Sequence, residues 1–161
     1  MTKAKSRPDK AVSLLSWLMP LTYLIHIAEE YWGGEGYPAY IYRVRGVYLP
    51  PSRFLVAQAI GFVLVMAGII LARQFNFPQM MLVILSTTVI GNALTHTYSA
   101  LPTHGYNPGL LSSLLIWMPM GIFVVIRFRR EMSPQRYWLA IAIGVGINVA
   151  IGVITMRGGR I

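Results

Sequence analysis

The chain has 161 residues, of which 55% are hydrophobic and 12% are charged, so it is too apolar for an ordinary soluble domain. Its net charge of +9 comes from basic residues that cluster between long uncharged runs. This distribution is typical of membrane flanks and argues against a nucleic-acid partner. The absence of cysteine excludes disulfides, thiolate catalysis and cysteine-ligated metal centres. Composition therefore predicts an integral membrane protein.

The first apolar run covers residues 11–28 and follows a basic N-terminus. It resembles a secretory signal, but it is long and ends in Glu29 and Glu30 without a small-x-small cleavage site. We therefore predict that this run is retained as the first transmembrane helix.

Four more apolar runs follow, and each is close to the roughly 20 residues that cross a bilayer as a helix. Asn107 and Pro108 precede the fourth of the five runs, where they predict an N-cap and a proline at the first helical position. The sequence thus predicts an all-α fold, a polytopic membrane helix bundle that forms a single integral membrane domain. The five transmembrane helices are predicted near residues 11–30, 54–73, 78–99, 109–128 and 136–156.

An aromatic connection, residues 31–53, joins the first two predicted helices and is rich in tyrosine, glycine and proline. Tyrosine and tryptophan prefer the headgroup level, where the ring enters lipid and the polar tip stays wet. We interpret this connection as an interfacial loop, an interpretation that is compatible with a lid over a substrate.

The basic residues predict the orientation of the bundle. With the N-terminus inside, nine of the 14 lysines and arginines lie on the cytoplasmic side and five lie on the other side. This bias favours a cytoplasmic N-terminus.

Polar side chains gather near the ends of the first and third predicted helices, which run in the same direction because the second helix runs back between them. Residues three or four apart share one face of a helix. The two polar faces consist of Thr22, Tyr23, His26, Glu29 and Glu30, and of Thr88, Asn92, Thr95, His96 and Ser99. Because polar groups are costly in lipid, we expect the two faces to meet inside the bundle.

Three motifs follow one another along the chain: His26-x-x-Glu29-Glu30, Asn92-x-x-x-His96 and Tyr106-x-Pro108-Gly109. Together they resemble the HXXEE-domain family of small bacterial membrane proteins, over roughly residues 14–126. The resemblance implies a functional site at these motifs and a location in the bacterial inner membrane. To our knowledge the family carries no assigned reaction, so the function must be argued from the residues.

One hypothesis is a mononuclear metal site for Zn, Fe or Mn, serving an enzyme that acts on a lipid or isoprenoid. His26, His96 and Glu29 or Glu30 supply suitable ligands, and three histidines are few for a di-iron centre. Asn92 is expected to orient His96 or to bind weakly. Further contacts around the metal or substrate are expected from Thr22, Tyr23, His104, Tyr106 and Trp117.

A metal-free hypothesis uses Glu29 and Glu30 as acid and base in an isoprenoid isomerase or cyclase, because adjacent carboxyls in a dry site favour keeping one proton. A purely structural alternative pairs the two glutamates with arginines of the 31–53 connection.

A third hypothesis is a non-catalytic subunit of a homo-oligomer or of a larger membrane complex. Gly144, Asn148 and Gly152 recur at a spacing of four on the last predicted helix. Small residues at this spacing allow helices to approach closely in a membrane, between chains or within one chain.

Overall fold

The computed structural model describes residues 10–102 and 105–157, and all regular secondary structure within these ranges is helical. The predicted all-α bundle is thereby confirmed. The predictions that concern His104 and the basic residues Lys3, Lys5, Arg7 and Arg160 lie outside the described ranges. The six helices of these ranges are α1 (Lys10–Trp32), α2 (Tyr37–Arg45), α3 (Pro51–Gln74), α4 (Pro78–Ala100), α5 (Leu110–Phe128) and α6 (Pro134–Arg157).

Five of these helices, all except α2, are long and apolar enough to cross a membrane. Their outward faces carry large exposed aliphatic side chains, among them Val63 and Leu64 of α3, and Val149 and Ile154 of α6. An apolar surface of this extent requires lipid around it. The chain is an integral membrane protein, as its composition predicts.

The bundle has two chemically different ends. At one end, buried apolar side chains such as Leu82, Val83, Val124 and Phe128 form the hydrophobic core. At the other end α1 and α4 finish and α5 begins, and buried polar side chains collect there. We call these the core end and the site end. The central helix, α4, contacts α1, α3, α5 and α6 and so connects the two ends.

Helix α6 packs closely against α4 through the residues at spacing four. A Cβ at Gly144 would lie 2.6 Å from the carbonyl oxygen of Ile84, so the two backbones almost touch. Asn148 Nδ2 donates a hydrogen bond of 3.3 Å to the carbonyl oxygen of Thr88. These two residues therefore make contacts within the chain, whereas Gly152 faces open space.

The aromatic connection contains a helix of its own, α2. Gly36 precedes it with φ 78° and Gly46 follows it with φ 66°, values that glycine adopts without strain. Tyr40 Oη donates a 2.8 Å hydrogen bond to the carbonyl oxygen of Ser99, which fixes α2 on the end of α4. Tyr40 is buried while Tyr48 is 65% exposed, so the tyrosines divide between packing and the surface.

The predicted N-cap at Asn107 is wrong. Helix α5 begins at Leu110, after Gly109 in the left-handed conformation (φ 91°), and no side chain of its own segment caps it. Asn107 is buried and bonds to α4 instead. Residues 113–117 of α5 form a π-helical turn, a local widening that is frequent at functional sites.

Candidate metal centre

Three buried side chains meet at the site end: His26 and Glu30 of α1, and His96 of α4. His26 and Glu30 are four residues apart, so both project from one face of α1 toward α4. Glu30 Oε1 lies 3.6 Å from His26 Nε2 and 3.4 Å from His96 Nε2. One ligand atom from each residue lies within 4.8 Å of the other two, so the group has the size of a metal site.

The hydrogen bonds of His26 determine which ring nitrogen carries the proton. Its Nδ1 lies 2.9 Å from Ser112 Oγ, and that hydroxyl donates its own proton to the carbonyl oxygen of Gly109 at 3.4 Å. Ser112 Oγ is therefore an acceptor toward the ring, and His26 Nδ1 is the donor. In the neutral imidazole, Nε2 then carries a lone pair that faces Glu30.

Asn107 fixes His96 in the same way. Its Nδ2 donates to the carbonyl oxygen of His96 at 3.2 Å, which sets the orientation of the amide. Asn107 Oδ1 then lies 3.2 Å from His96 Nδ1 and can only accept, so His96 Nδ1 carries the proton. The Nε2 lone pair of His96 is thus also turned toward Glu30.

Glu30 itself is held by α3. Gln58 Nε2 donates a hydrogen bond of 2.6 Å to Glu30 Oε2, and Tyr23 Oη donates to Gln58 Oε1 at 2.8 Å. The tyrosine thereby orients the amide, and the amide occupies one carboxylate oxygen. Only Oε1 remains to face the two histidines.

These hydrogen bonds leave three electron-pair donors close together: Nε2 of His26, Nε2 of His96 and Oε1 of Glu30. His26 Nε2 is buried and has no hydrogen-bond partner among the described residues. Two imidazole lone pairs and a carboxylate oxygen repel one another unless a metal ion or an added proton lies between them. Because the histidine protons are held on the far sides of both rings, the arrangement suits a metal ion.

Two further residues form the walls of the site. A Cβ on Gly109 would lie 2.7 Å from His96 Cε1 and 2.9 Å from both His26 Cε1 and Glu30 Cγ, so only glycine fits there. Trp117 packs against His26 with ring centroids 3.8 Å apart and the ring planes inclined by 30°, and its Nε1 donates to Thr22 Oγ1 at 3.2 Å. Both imidazole rings are thus held in place by packing as well as by hydrogen bonds.

Glu29 points away from the three ligands. Its carboxylate accepts hydrogen bonds from the backbone N–H groups of Leu111 and Ser112, at 2.9 and 2.6 Å, and from Tyr106 Oη at 2.8 Å. It caps the N-terminus of α5, where a negative charge is favourable. Burial and the carboxylate of Glu29 raise the pKa of Tyr106 to about 12, so that hydroxyl remains a donor at neutral pH.

Asn92 does not hold His96 as the sequence predicted. The buried Oδ1 of Asn92 has no hydrogen-bond partner in the described part of the chain, and Asn107 orients the His96 ring instead. Sequence reasoning missed Gln58, Ser112 and Asn107 as the residues that orient the three ligands. A signal existed for Gln58, the one amide in the otherwise apolar residues 54–72 of α3.

Comparison with known proteins places this site within a family. A family model described as "Protein of unknown function with HXXEE motif" matches residues 17–124, about two thirds of the chain. No curated protein and no solved structure matches the sequence. His26, Glu29 and Glu30 supply the motif from which the family takes its description. The chain belongs to the HXXEE family.

Proposed function

We propose that this protein is a metal-dependent enzyme of the membrane, with one metal ion held by His26, Glu30 and His96. The observation that carries the proposal is the convergence of two imidazole lone pairs and one carboxylate oxygen, each fixed by a hydrogen bond on its far side. Two histidines and one glutamate with an open fourth position form a ligand set of catalytic zinc sites. Non-haem iron enzymes also use two histidines and one carboxylate.

Two of the three ligand separations are close to those of a tetrahedral zinc site. Ligands about 2.0 Å from a tetrahedral ion lie roughly 3.3 Å apart. Glu30 Oε1 lies 3.4 and 3.6 Å from the two imidazole Nε2 atoms, and the whole group lies within 4.8 Å, so the histidines would draw together around the ion. Gln58 supports the same geometry, because it occupies Glu30 Oε2 and leaves one carboxylate oxygen for the metal.

The depth of the ligands supports a substrate from the lipid phase. His26, Glu30 and His96 lie within six residues of the ends of α1 and α4, or about 9 Å along the helix axis. This is the level at which headgroups and the first carbons of lipid chains meet the protein. A bound metal would supply a Lewis acid or an activated water there. The protein orients the ligands and keeps them out of bulk water.

Elemental analysis of protein purified in mild detergent tests the proposal. We expect close to one zinc per chain, and His26→Ala, His96→Ala and Glu30→Gln should each lower the metal content at least tenfold. Glu29→Gln is the matched control, because it makes the same chemical change one residue away, on a carboxylate that caps α5.

Two results would overturn the metal proposal. One is wild-type protein without stoichiometric metal after zinc, iron and manganese have each been supplied. The other is equal metal loss in Glu29→Gln and Glu30→Gln. Metal content should also fall in acid, because protons compete with the ion for both imidazoles.

We also propose that the site end faces away from the cytoplasm, in the inner membrane of a bacterial cell. Supporting this orientation, α5 ends and α6 begins at the core end with four arginines in or between their terminal turns: Arg127, Arg129, Arg130 and Arg136. Basic residues of this kind are retained on the cytoplasmic side.

A further inference from the structure

A chain of hydrogen bonds leads from α1 to α3 and back to Glu30. Gln58 Nε2 donates to Glu30 Oε2 at 2.6 Å, and Tyr23 Oη lies 2.8 Å from Gln58 Oε1. An ionised carboxylate can only accept hydrogen bonds, so the amide nitrogen must face Glu30 and the phenol must donate to the amide oxygen. The amide therefore has one consistent orientation, and both of its neighbours enforce it.

Gly61 gives the Tyr23 hydroxyl its place on α3. It follows Gln58 by three residues and so lies on the same face of the helix. A Cβ added at Gly61 would collide with Tyr23 Oη, so a larger residue there would displace the phenol from the amide. The Tyr23 ring also packs against Trp117 and Phe62, whose ring centroids lie 6.2 and 6.3 Å from its own. The phenol is thus fixed where it can orient Gln58.

The hydrogen bond from Gln58 limits what Glu30 can offer an ion. A donor 2.6 Å from a charged oxygen forms a strong, charge-assisted hydrogen bond. An ion that took Oε2 as a second ligand atom would compete with this bond and leave the amide N–H poorly paired inside the bundle. Oε1, by contrast, faces the two imidazoles at 3.4 and 3.6 Å. Glu30 therefore presents one oxygen to the ion.

The number of carboxylate oxygens that bind influences which ion fits. Two imidazoles and one oxygen form a tetrahedral zinc site with one open position. A carboxylate that binds through both oxygens adds a ligand atom, and this larger set suits ions such as manganese, which prefer oxygen ligands in octahedral geometry. The two sets differ only in how Glu30 binds, and Gln58 controls that.

We propose that Gln58, oriented by Tyr23, selects the metal of the site: it limits Glu30 to one ligand oxygen and so favours zinc over manganese. This inference rests on the proposed function, since it names how that site chooses its ion. Gln58 and Tyr23 are positioning residues, because both act through Glu30. They place the selection of the ion on α3, a helix that contributes none of the three ligands.

Co²⁺ in place of zinc tests this proposal, since Co²⁺ absorbs visible light strongly when four ligands surround it and weakly when six do. We expect intense bands from the wild-type protein in mild detergent. Gln58→Met keeps the side-chain volume and removes the amide, so the bands should weaken as Glu30 Oε2 becomes free to bind. In equilibrium dialysis the ratio of zinc to manganese affinity should fall about tenfold. Tyr23→Phe should change both measurements in the same direction but less.

The core end offers a matched control for each variant. Gln79 Nε2 donates to Glu131 Oε2 at 3.4 Å, so Gln79→Met makes the same change in another pair of glutamine and glutamate. Tyr137 Oη donates to the carbonyl oxygen of Val125 at 3.2 Å, so Tyr137→Phe also removes one phenol hydrogen bond. Both controls should keep the Co²⁺ bands and the affinity ratio of the wild type.

Three results would overturn the selection by Gln58. One is an unchanged Co²⁺ spectrum and affinity ratio in Gln58→Met, even with lower thermal stability, because Gln58 would then only connect α1 and α3. Another is an equal loss of zinc and manganese affinity, which would make Gln58 a determinant of binding and not of selection. The third is weak, six-coordinate absorption in the wild type. No change in Tyr23→Phe would overturn the role of the tyrosine.

Metal content of the wild type keeps this inference distinct from the proposed function. If the wild type binds zinc stoichiometrically but Gln58→Met selects its ion as the wild type does, only the inference fails. If the wild type binds none of the supplied ions, the metal-dependent function fails and the inference fails with it.

Discussion

At the scale of single residues, the two adjacent glutamates have different tasks. Successive residues on a helix point about 100° apart, so Glu30 faces α4 while Glu29 faces the start of α5. Sequence reasoning identified both as polar and close to the site. It had no means of assigning the ligand, because the assignment depends on Leu111 and Ser112, which are remote in the chain.

Replacement of Glu29 should cost stability and leave the metal in place. In Glu29→Gln the amide nitrogen faces a backbone N–H of α5, so one charge-assisted hydrogen bond is lost and a donor meets a donor. We expect a loss of about 1–2 kcal/mol in the free energy of unfolding, measured by thermal denaturation in detergent.

The exposed ion pair of Glu35 with Arg43 provides the comparison for that measurement. Glu35→Gln should change stability by less than about 1 kcal/mol, because surface ion pairs contribute little. A larger loss in Glu35→Gln than in Glu29→Gln would contradict the capping role of Glu29.

At the scale of elements, the site depends on the short segment between α4 and α5. Asn107 fixes the ring of His96, and Gly109 allows the chain to pass against both histidines. The motif Tyr106-x-Pro108-Gly109 indicated from sequence that the segment matters. Its mechanism was not predictable, because the left-handed backbone at Gly109 and the side-chain bond of Asn107 arise only when α1, α4 and α5 are packed together.

Substitution of Gly109 should therefore remove the metal. In Gly109→Ala the new methyl group would lie 2.7–2.9 Å from His96, His26 and Glu30, on a backbone with φ 91°. We expect at least a tenfold drop in metal content by elemental analysis, and a stability loss of several kcal/mol from strain and overpacking.

Gly46 offers a matched control, since it also has a positive φ (66°) but a Cβ added there would meet no atom within 4 Å. Gly46→Ala should lower the free energy of unfolding by only about 1–2 kcal/mol, the cost of a left-handed backbone for a residue with a Cβ, and it should retain the metal. Retention of metal in Gly109→Ala would show that the segment does not form a wall of the site.

Asn148 supports the pairing of α6 with α4, at a distance from the site. Replacement by leucine removes its hydrogen bond to the carbonyl oxygen of Thr88. Asn148→Leu should lower the stability in detergent by about 0.6–2 kcal/mol, with metal content unchanged. Loss of metal without loss of stability would instead connect this residue to the site.

At the scale of the whole molecule, the count of spans and the all-α fold were predictable because apolar runs of about 20 residues leave few alternatives. The meeting of α1 and α4 at one end follows from counting spans, and it brings His26 and His96 together. Helix α2 was not anticipated within the aromatic connection, since its stability comes from contacts such as that of Tyr40 with Ser99.

Two single-cysteine variants test this topology, and the absence of native cysteine makes each label unique. Tyr48 lies at the site end and Ser133 at the core end, and both are exposed. In sealed cells a membrane-impermeant maleimide should label Tyr48→Cys but reach Ser133→Cys only after permeabilisation. Labelling of both from the same side would contradict the five-span arrangement, and the opposite pattern would reverse the orientation.

The division of the site between α1 and α4 has a consequence for biosynthesis. These two helices have the lowest mean hydropathy of the five spans, and the more apolar α3 is made between them. The first helix therefore enters the membrane with His26 and Glu30 before α3 and α4, which carry Gln58 and His96, have entered it. Its polar face remains without these partners until α4 follows, so the group of His26, Glu30 and His96 is complete only after three of the five spans are in place.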